Sequence, residues 1–299
     1  MNQSYFSQIT DPHAVITAID NAVRFPEILG VLWQKYEAEI ILFRDLVMLS
    51  ASSAELLERI RTTNFSGEQR MSLLKMFRRC VSPILDTEMA KKIRNVSTVQ
   101  LVNNYGYSFK DINTLKQQFA QLTVEQASAL AALIGEYDTR GQLGYILTDR
   151  FFNWFESAFS SDFSIAGPRG AGRDVELSSV FSDFNGNYPC DFVIRDNLTL
   201  SVVAIGFARY DSTRGGAQSD DRTGGNSDKV AKAQAYWAQS AQAGRILRII
   251  FLSDGPGLAH KDTWYESCVL DGAWGGNVRV VTLKLAPYRI TSAWLRGFE

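Results

Sequence analysis

The stretch DFVIRDNLTLSVVAIGFARY, residues 191–210, decides the fold that this sequence predicts. Two runs rich in β-branched and other apolar residues, 191–196 and 199–210, are typical of strands. The pair Asp196-Asn197 between them favours a tight turn. We therefore expect an antiparallel hairpin, in which Asp191 at the start of the first strand lies close to residues 203–205 of the second.

The sequence after this hairpin predicts an α/β (α+β) core. The runs RILRIIFLSD (245–254) and VRVVTLKL (278–285) are typical of strands, and KVAKAQAYWAQSAQAG (229–244) is typical of a helix. The segment between hairpin and helix, residues 211–228, is rich in Gly, Ser and Asp and predicts a long irregular loop. We expect a mixed β-sheet flanked by helices.

The first half of the chain predicts helices, because apolar residues recur three or four positions apart. The expected helices are 27–50, 53–62, 67–79, 86–93, 110–121 and 123–136. We expect a helical domain over residues 1–140, serving in dimerisation, DNA clamping or both, and a second domain over 141–299. The aromatic residues of 142–160 have helical spacing, which favours a buried role over a base-stacking surface.

Composition limits the classes of function. The chain has 31 basic and 32 acidic residues and a net charge of −1, so binding of nucleic acid would have to rest on local clusters. Its three cysteines are widely spaced, which argues against a disulfide framework or a zinc site and fits a reducing cytoplasm. No apolar run approaches the roughly 18 residues of a membrane span, and residues 1–13 lack a signal-peptide pattern. We expect a cytoplasmic protein with no membrane partner.

Two common hydrolase chemistries find little support. His13 and His260 are the only histidines and fall in different predicted domains, so they cannot form the paired ligands of a zinc hydrolase. No G-x-S-x-G motif of a serine hydrolase occurs. Carboxylates at adjoining strand ends remain, and these are the groups that hold Mg²⁺ for phosphodiester hydrolysis.

The residues around the hairpin resemble the PD-(D/E)XK nuclease superfamily, and within it type II restriction endonucleases. Pro189-x-Asp191 matches the acidic start of one strand, and Glu176, in an expected helix over 169–181, matches the acidic residue that often precedes it. The resemblance implies that Asp191 and Glu176 bind Mg²⁺. It places the (D/E)-x-K element at 204–206, where this chain has Ala204 and Gly206.

Three explanations of that departure are open. First, Ala204 replaces a glutamate by engineering; second, the nuclease is naturally inactive. Third, the roles have moved, with Asp211, Asp220 or Asp221 supplying the carboxylate and Arg209 or Lys229 the positive charge. Under the first explanation, DNA binding is retained, cleavage is greatly reduced, and glutamate at position 204 restores cleavage.

The loop 211–228 is a candidate for reading DNA bases, since it is rich in residue types that contact base edges and in glycines that permit close approach. A solvated surface loop is the alternative. The candidate DNA-binding residues, for bases and phosphates together, are Arg169, Arg173, Arg209, Arg214, Gln218, Asp220, Asp221 and Arg222.

These observations predict a sequence-specific endonuclease of double-stranded DNA that uses Mg²⁺ and acts as a homodimer, since two-fold symmetry matches a palindromic duplex. Its catalytic positions would be Asp191, Ala204, Glu176 and Lys229. A non-catalytic DNA-binding protein with a nuclease-like fold is one alternative. Another is a metabolic α/β enzyme whose glycine-rich loop binds phosphate through backbone amides.

Overall fold

The computed structural model describes residues 4–20, 23–170, 172–212, 218–240 and 247–299, and within these ranges it leaves out the side chains of 137–141 and 218–224. The chain divides into two compact units: Ala22–Arg140 forms one, and Met1–Asn21 with Gly141–Glu299 forms the other. The helical domain predicted over 1–140 included the first 21 residues, which the structure groups with the α/β unit instead.

The unit Ala22–Arg140 is helical, and its helices begin where the sequence supplies capping residues. Ser66 with Gln69 and Ser97 with Gln100 form capping boxes that satisfy the first amide groups of two helices. Leu56, Leu57 and Phe77 are fully buried in its apolar core. Its helices are α2 (Glu27–Leu49), α3 (Ser53–Thr62), α4 (Gly67–Cys80), α5 (Thr87–Lys91), α6 (Thr98–Tyr105), α7 (Ile112–Ala120) and the beginning of α8 (Val124–Phe159).

The other unit is built on a mixed sheet, which has five strands in the described part of the chain. Their order is β1-β4-β5-β6-β7; β1–β4 and β4–β5 pair antiparallel, whereas β5–β6 and β6–β7 pair parallel. A further two-stranded sheet joins β2 to β3. The strands are β1 (Phe163–Ala166), β2 (Val175–Glu176), β3 (Pro189–Cys190), β4 (Phe192–Asp196), β5 (Val202–Tyr210), β6 (Arg248–Asp254) and β7 (Val278–Val281).

Helices complete this unit. Helix α9 (Gln218–Gln239) connects β5 to the parallel strand β6, as a crossover connection requires. The remaining helices are α1 (Pro12–Val15), α10 (Lys261–Leu270), α11 (Ala273–Gly276), α12 (Ala286–Arg289) and α13 (Ser292–Arg296). Short 3₁₀ turns cover Phe6–Gln8, Gly106–Ser108, Leu177–Ser179 and Pro256–Ala259.

Each face of the main sheet has its own apolar cluster, because successive strand residues point to opposite faces. One cluster joins Val193, Ile205 and Phe207 to Val230 and Ala233 of α9. The other joins β4 and β5 residues of alternate parity to the end of α8, through Phe192, Ile194, Ala204, Phe151 and Phe152. The aromatic residues expected in the core of 142–160 are therefore buried in part, with Phe151, Phe152 and Phe155 at 0–2% exposure.

Two buried aspartates attach the N-terminal segment to this unit. Asp271 forms an ion pair with Arg289 (2.6 Å) and accepts a hydrogen bond from the Tyr5 amide (2.9 Å). Asp254 accepts hydrogen bonds from the amides of Thr17 (2.7 Å) and Leu283 (2.9 Å). These bonds give a physical reason for the grouping of the first 21 residues with the sheet.

The predicted α/β class is confirmed at the level of a mixed sheet flanked by helices. The strand runs beginning at Asp191, Thr199, Arg245 and Val278 each contain an observed strand, while strands β1 and β2 and helices α6 and α10 to α13 were not predicted. Among the described residues, no helix is both long and apolar enough to cross a membrane.

Candidate active site

The pairing of β4 with β5 places Asp191 further along β5 than the sequence predicted. Phe192 pairs with Gly206 and Ile194 with Ala204, and the Asp191 amide donates to the Gly206 carbonyl at 2.9 Å. The Asp191 carboxylate accepts a hydrogen bond from the Ala208 amide at 2.7 Å. The expectation that Asp191 lies opposite residues 203–205 is therefore wrong; it lies opposite 206–208.

The connection between the strands explains this difference. A tight turn at Asp196-Asn197 was expected, but β5 begins only at Val202, so residues 197–201 form the connection. Asp196 accepts the amides of Leu198 (2.9 Å) and Thr199 (3.0 Å), and Leu200 adopts a positive φ of 59°. The pairing also shifts by an irregularity between Ile194 and Arg195. The longer connection moves every later pair along the strand.

Ala204 and Gly206 do not face the side of the sheet that Asp191 faces. Ala204 is fully buried in the cluster on the α8 side. A Cβ atom at Gly206 would lie 1.9 Å from Cζ of Phe192, so only glycine fits beneath that ring. A glutamate at 204 and a lysine at 206 would thus point away from Asp191. The register of β4 with β5 therefore shows that the placement of the (D/E)-x-K element at 204–206 was wrong. The explanation that Ala204 replaces a catalytic glutamate by engineering fails with it.

The residues of β5 that line the same pocket as Asp191 are Phe207, Ala208 and Arg209, and of these Phe207 and Arg209 lie on the side of the sheet that Asp191 faces. The pocket has a volume of about 160 Å³ and is bounded by β5, β6, α9 and α10. Phe207 and Arg209 stand two positions apart, which is the spacing that a carboxylate and a lysine have in (D/E)-x-K. The phenyl ring of Phe207 and the guanidinium of Arg209 therefore occupy the two β5 positions that face the pocket beside Asp191. The polar residues of the lining are Asp191, Arg209, Asp211, Asn226, Lys229, Ser253, Thr263, Glu266 and Ser267.

Two titratable groups of the pocket, Asp191 and Lys229, have shifted pKa values. Burial raises the pKa of the Asp191 carboxyl above its usual 3.8; the Ala208 amide and the charge of Lys229 oppose this change, and the charge of Asp174 adds to it. Burial lowers the pKa of Lys229 below 10.5, against the attraction of Asp191. The Lys229 ammonium lies 4.0 Å from the centre of the Phe207 ring. A desolvated carboxyl and ammonium in one cleft are typical of functional sites, although structural ion pairs show the same pattern.

Two polar pairs complete the pocket. Arg209 is held by Asp211, with Nε to Oδ1 at 2.7 Å, and Asn226 of α9 donates to Glu266 of α10 at 3.0 Å. The sequence analysis named Asp211 only as a replacement carboxylate and did not find Asn226, Glu266 or Asp174. Asn226 lay within the predicted irregular loop, and Glu266 comes from a distant helix, so neither had a signal in local spacing.

Glu176 lies on β2, not on a helix. The helix expected over 169–181 is wrong, because Val175 and Glu176 pair with Cys190 and Pro189 in the two-stranded sheet. The Glu176 carboxylate accepts a hydrogen bond from the Tyr188 amide at 3.2 Å. Glu176 therefore packs beside the strand that leads to Asp191.

The cysteine next to Asp191 is inert. Cys80, Cys190 and Cys268 are free thiols. Burial, with the charge of Asp191 adding to it, raises the pKa of Cys190 to about 12. A thiol with this pKa stays protonated near neutral pH, so Cys190 is a poor candidate for a nucleophile.

The basic residues expected to meet phosphates have different surroundings. Arg169 forms ion pairs with Asp149 (3.0 Å) and Glu156 (2.5 Å), and these bonds raise its pKa. Arg173 is exposed in the segment before β2. Arg209 is the one that lines the pocket, and its charge is shared with Asp211.

The predicted recognition loop is shorter than expected, because α9 begins at Gln218 and continues through residues 219–228. Arg214 lies outside the described residues. Gln218, Asp220, Asp221 and Arg222 belong to the first turns of α9, but their side chains lie outside the described part of the chain. Their expected contacts with bases stay predictions.

The described donors do not complete a Mg²⁺ site. Among the residues whose side chains the structure describes, no three His, Cys, Asp or Glu groups are close enough to hold a metal ion. The pocket holds two further carboxylates, Asp211 and Glu266, but Asp211 is paired with Arg209 and Glu266 accepts from Asn226. The positive charges of Lys229 and Arg209 oppose cation binding beside Asp191. The catalytic steps proposed for this pocket therefore assign no role to Mg²⁺.

Comparison of the chain with protein-family models, curated proteins and solved structures finds no match.

Proposed function

We propose that the α/β unit acts on double-stranded DNA as an endonuclease, and that the pocket between Asp191 and Lys229 is where the phosphodiester bond is hydrolysed. The observation that carries this proposal is a half-buried carboxyl and a half-buried ammonium in one pocket at the end of the central hairpin, the pKa of Asp191 being raised and that of Lys229 lowered by burial. Shifts in these two directions are the ones by which enzymes adapt carboxyl and ammonium groups to proton transfer and charge stabilisation.

The strand order supports the same proposal. Two antiparallel pairs are followed by helix α9 and a parallel strand, and Asp191 stands directly before the second strand of the sheet. This is the place that the PD-(D/E)XK resemblance assigns to the first acidic residue. Sequence-specific recognition and a homodimer belong to the proposal through that resemblance.

The pocket residues suggest how each would act. A DNA phosphate brought to the pocket meets Lys229, whose ammonium offsets the negative charge that develops during hydrolysis. The Asp191 carboxylate takes a proton from the attacking water as the water oxygen bonds to phosphorus. The bond to the leaving sugar oxygen then breaks, and solvent protonates that oxygen. Arg209, fixed by Asp211, orients a second phosphate oxygen.

The test uses the full chain, supercoiled plasmid DNA, and buffer with either MgCl₂ or EDTA. Wild-type protein is expected to nick the plasmid, with Mg²⁺ dependence showing whether a cation assists. Lys229→Gln is expected to lower the cleavage rate by about 100-fold or more, the usual effect of removing one donor that stabilises the transition state. Lys232→Gln, an exposed position on the same helix, is the matched control and is expected to leave the rate unchanged.

A second candidate is a non-catalytic DNA-binding protein with a nuclease-like topology. The observation in its favour is that Phe207 and Arg209 occupy the β5 positions that face the pocket beside Asp191, where a nuclease of this kind carries a carboxylate and a lysine. Wild-type protein that binds duplex DNA but leaves plasmid intact with every divalent cation tested would favour this candidate over the endonuclease.

A further inference from the structure

The helical unit carries a groove bordered by cations from two helices. Its volume is about 360 Å³; Lys75, Arg78 and Arg79 of α4 line one side and Lys91 of α5 the other, with Glu88 beside Lys91. We call this the basic groove. The Nε atom of Arg78 donates to the Pro83 carbonyl at 3.2 Å, which holds this guanidinium against the turn that follows α4.

The charge of the unit is concentrated at this groove. Residues 71–94 include six basic and two acidic residues, whereas the other residues of 22–140 include nine basic and eleven acidic ones. The helix dipole favours basic residues such as Arg78 and Arg79 near the end of α4. The same effect applies to Lys91 at the end of α5, but it does not account for Lys75 or for the position of all four cations around one groove. The concentration of positive charge indicates an anionic partner.

Two exposed ion pairs join cations of the groove to acidic residues. Lys91 lies 3.4 Å from Glu88 and Arg79 lies 3.7 Å from Glu136, and both carboxylates are more than half exposed. Exposed ion pairs of this kind contribute about 0–1 kcal/mol, so a phosphate can replace the carboxylate at small cost.

We propose that the basic groove binds the phosphate backbone of double-stranded DNA, which gives the helical unit the role of holding the duplex without reading its sequence. A duplex presents one negative charge per roughly 1.7 Å of its axis, and a row of lysine and arginine residues binds it by releasing condensed counterions. This inference rests on the proposed function only in taking DNA as the substrate; it does not require that Asp191 and Lys229 cleave it.

The experiment measures binding of the full chain to a fluorescein-labelled 30-base-pair duplex by anisotropy, in EDTA and at several NaCl concentrations. The test variant is Lys75→Gln/Arg78→Gln/Lys91→Gln. With about 0.9 counterions released per phosphate contact, loss of three contacts makes the slope of log K against log salt less steep by about 2 to 3. For equal affinities at 1 M salt, this corresponds at 0.1 M salt to affinity lower by about 100- to 1,000-fold.

Two controls separate the groove from general charge effects. Lys35→Gln/Arg44→Gln/Lys116→Gln removes the same charge from α2 and α7 and is expected to bind nearly as wild type. Lys75→Gln/Lys91→Gln keeps the Arg78–Pro83 bond and is expected to reduce the slope by about 2. An unchanged slope in the groove variants, with their melting temperatures retained, would overturn the proposal, and so would an equal loss in the control triple variant.

The outcomes also separate this inference from the endonuclease proposal. A reduced slope in the groove variants of a protein that never cleaves DNA supports the groove and overturns the endonuclease. Cleavage that depends on Lys229, with duplex binding unaffected by the groove substitutions, does the reverse. No duplex binding by wild-type protein at low salt would overturn both.

Discussion

Strand β4 has an aspartate at each end, and the two are held in opposite ways. Asp196, at its end, accepts hydrogen bonds from the Leu198 and Thr199 amides and from Arg296. Burial raises its pKa, but these three donors outweigh burial, and the pKa is lowered below 3.8. Asp191, just before the strand, accepts one hydrogen bond from Ala208 among the described residues, and burial raises its pKa.

The difference between the two carboxylates indicates which of them is expected to react with a substrate. A carboxylate surrounded by donors is stabilised as an anion and serves to fix the turn that follows β4. A carboxyl that is desolvated with less compensation has a raised pKa, and groups of this kind are found more often at sites that act on a substrate. Under the proposed function, the surroundings of the two aspartates, rather than their residue type, give one end of the strand a structural role and the other a catalytic one.

The largest expected effect tests the register on which this comparison depends. Ala204→Glu places a carboxylate in the apolar cluster on the α8 side, where Ala204 is fully buried. We expect the free energy of unfolding of the α/β unit to fall by about 4 kcal/mol, since an unpaired buried charge and overpacking both act. Urea denaturation followed by tryptophan fluorescence measures this. A stable protein with increased DNA cleavage would instead show that the side chain at position 204 belongs to the active site.

The next effect concerns the structural end of the strand. Asp196→Ala removes the acceptor for two turn amides and the partner of Arg296. We expect a loss of about 2 kcal/mol in unfolding free energy near neutral pH. Because the folded pKa of Asp196 is lowered, its contribution is present above pH 3.8 and is lost as the pH falls through the folded pKa. The difference between variant and wild type should therefore shrink in acid; a constant difference would argue against a role for the ionised form.

The pH dependence of cleavage tests the reactive end. We expect kcat/KM for plasmid nicking to rise with the ionisation of Asp191, whose pKa is raised, and to fall as Lys229, whose pKa is lowered, loses its proton. Lys229→Arg keeps a positive charge at all accessible pH values, so the alkaline limb should move upward by at least about one pH unit. An alkaline limb that does not move would show that another group controls it.

The smallest expected effect is on stability at the reactive end. Asp191→Asn keeps an acceptor for the Ala208 amide and removes a charge that burial disfavours, so we expect a change within about 1 kcal/mol at neutral pH. Since the folded pKa of Asp191 is raised, its contribution is fully present below pH 3.8 and is lost as the pH rises through the folded value. Relative to wild type, the variant should gain stability with rising pH, opposite to Asp196→Ala. The same denaturation series measures both.

The sequence predicted much of the architecture because its strands and helices have strong local signals. The runs around Ile194, Ile205 and Ile250 are rich in β-branched residues, and each contains a strand. Strand β1, Phe163–Ala166, has four residues and too little periodicity to be found. Helix α6 was not predicted, although Ser97 and Gln100 form a capping box that is visible in the sequence as S-x-x-Q.

The candidate site was predicted only in part, because the register of a hairpin depends on the turn. Asp191 and Lys229 were named from residue type and position, and the structure places them in one pocket. Alternation along a strand shows which residues share a face, but not which residue of the partner strand they meet. A tight turn at Asp196-Asn197 would have placed Ala204 near Asp191. The observed connection of residues 197–201 places Phe207 and Arg209 there instead.

The most direct test of the reactive and structural ends is to compare plasmid cleavage by Asp191→Asn and Asp196→Asn, the same substitution at the two ends of β4, under single-turnover conditions with duplex binding measured in parallel. We expect Asp191→Asn to lower the cleavage rate by about 100-fold or more while duplex binding is retained. We expect the cleavage rate of Asp196→Asn to stay within about threefold of wild type. Equal rates for the two variants, or a greater loss in Asp196→Asn, would contradict it.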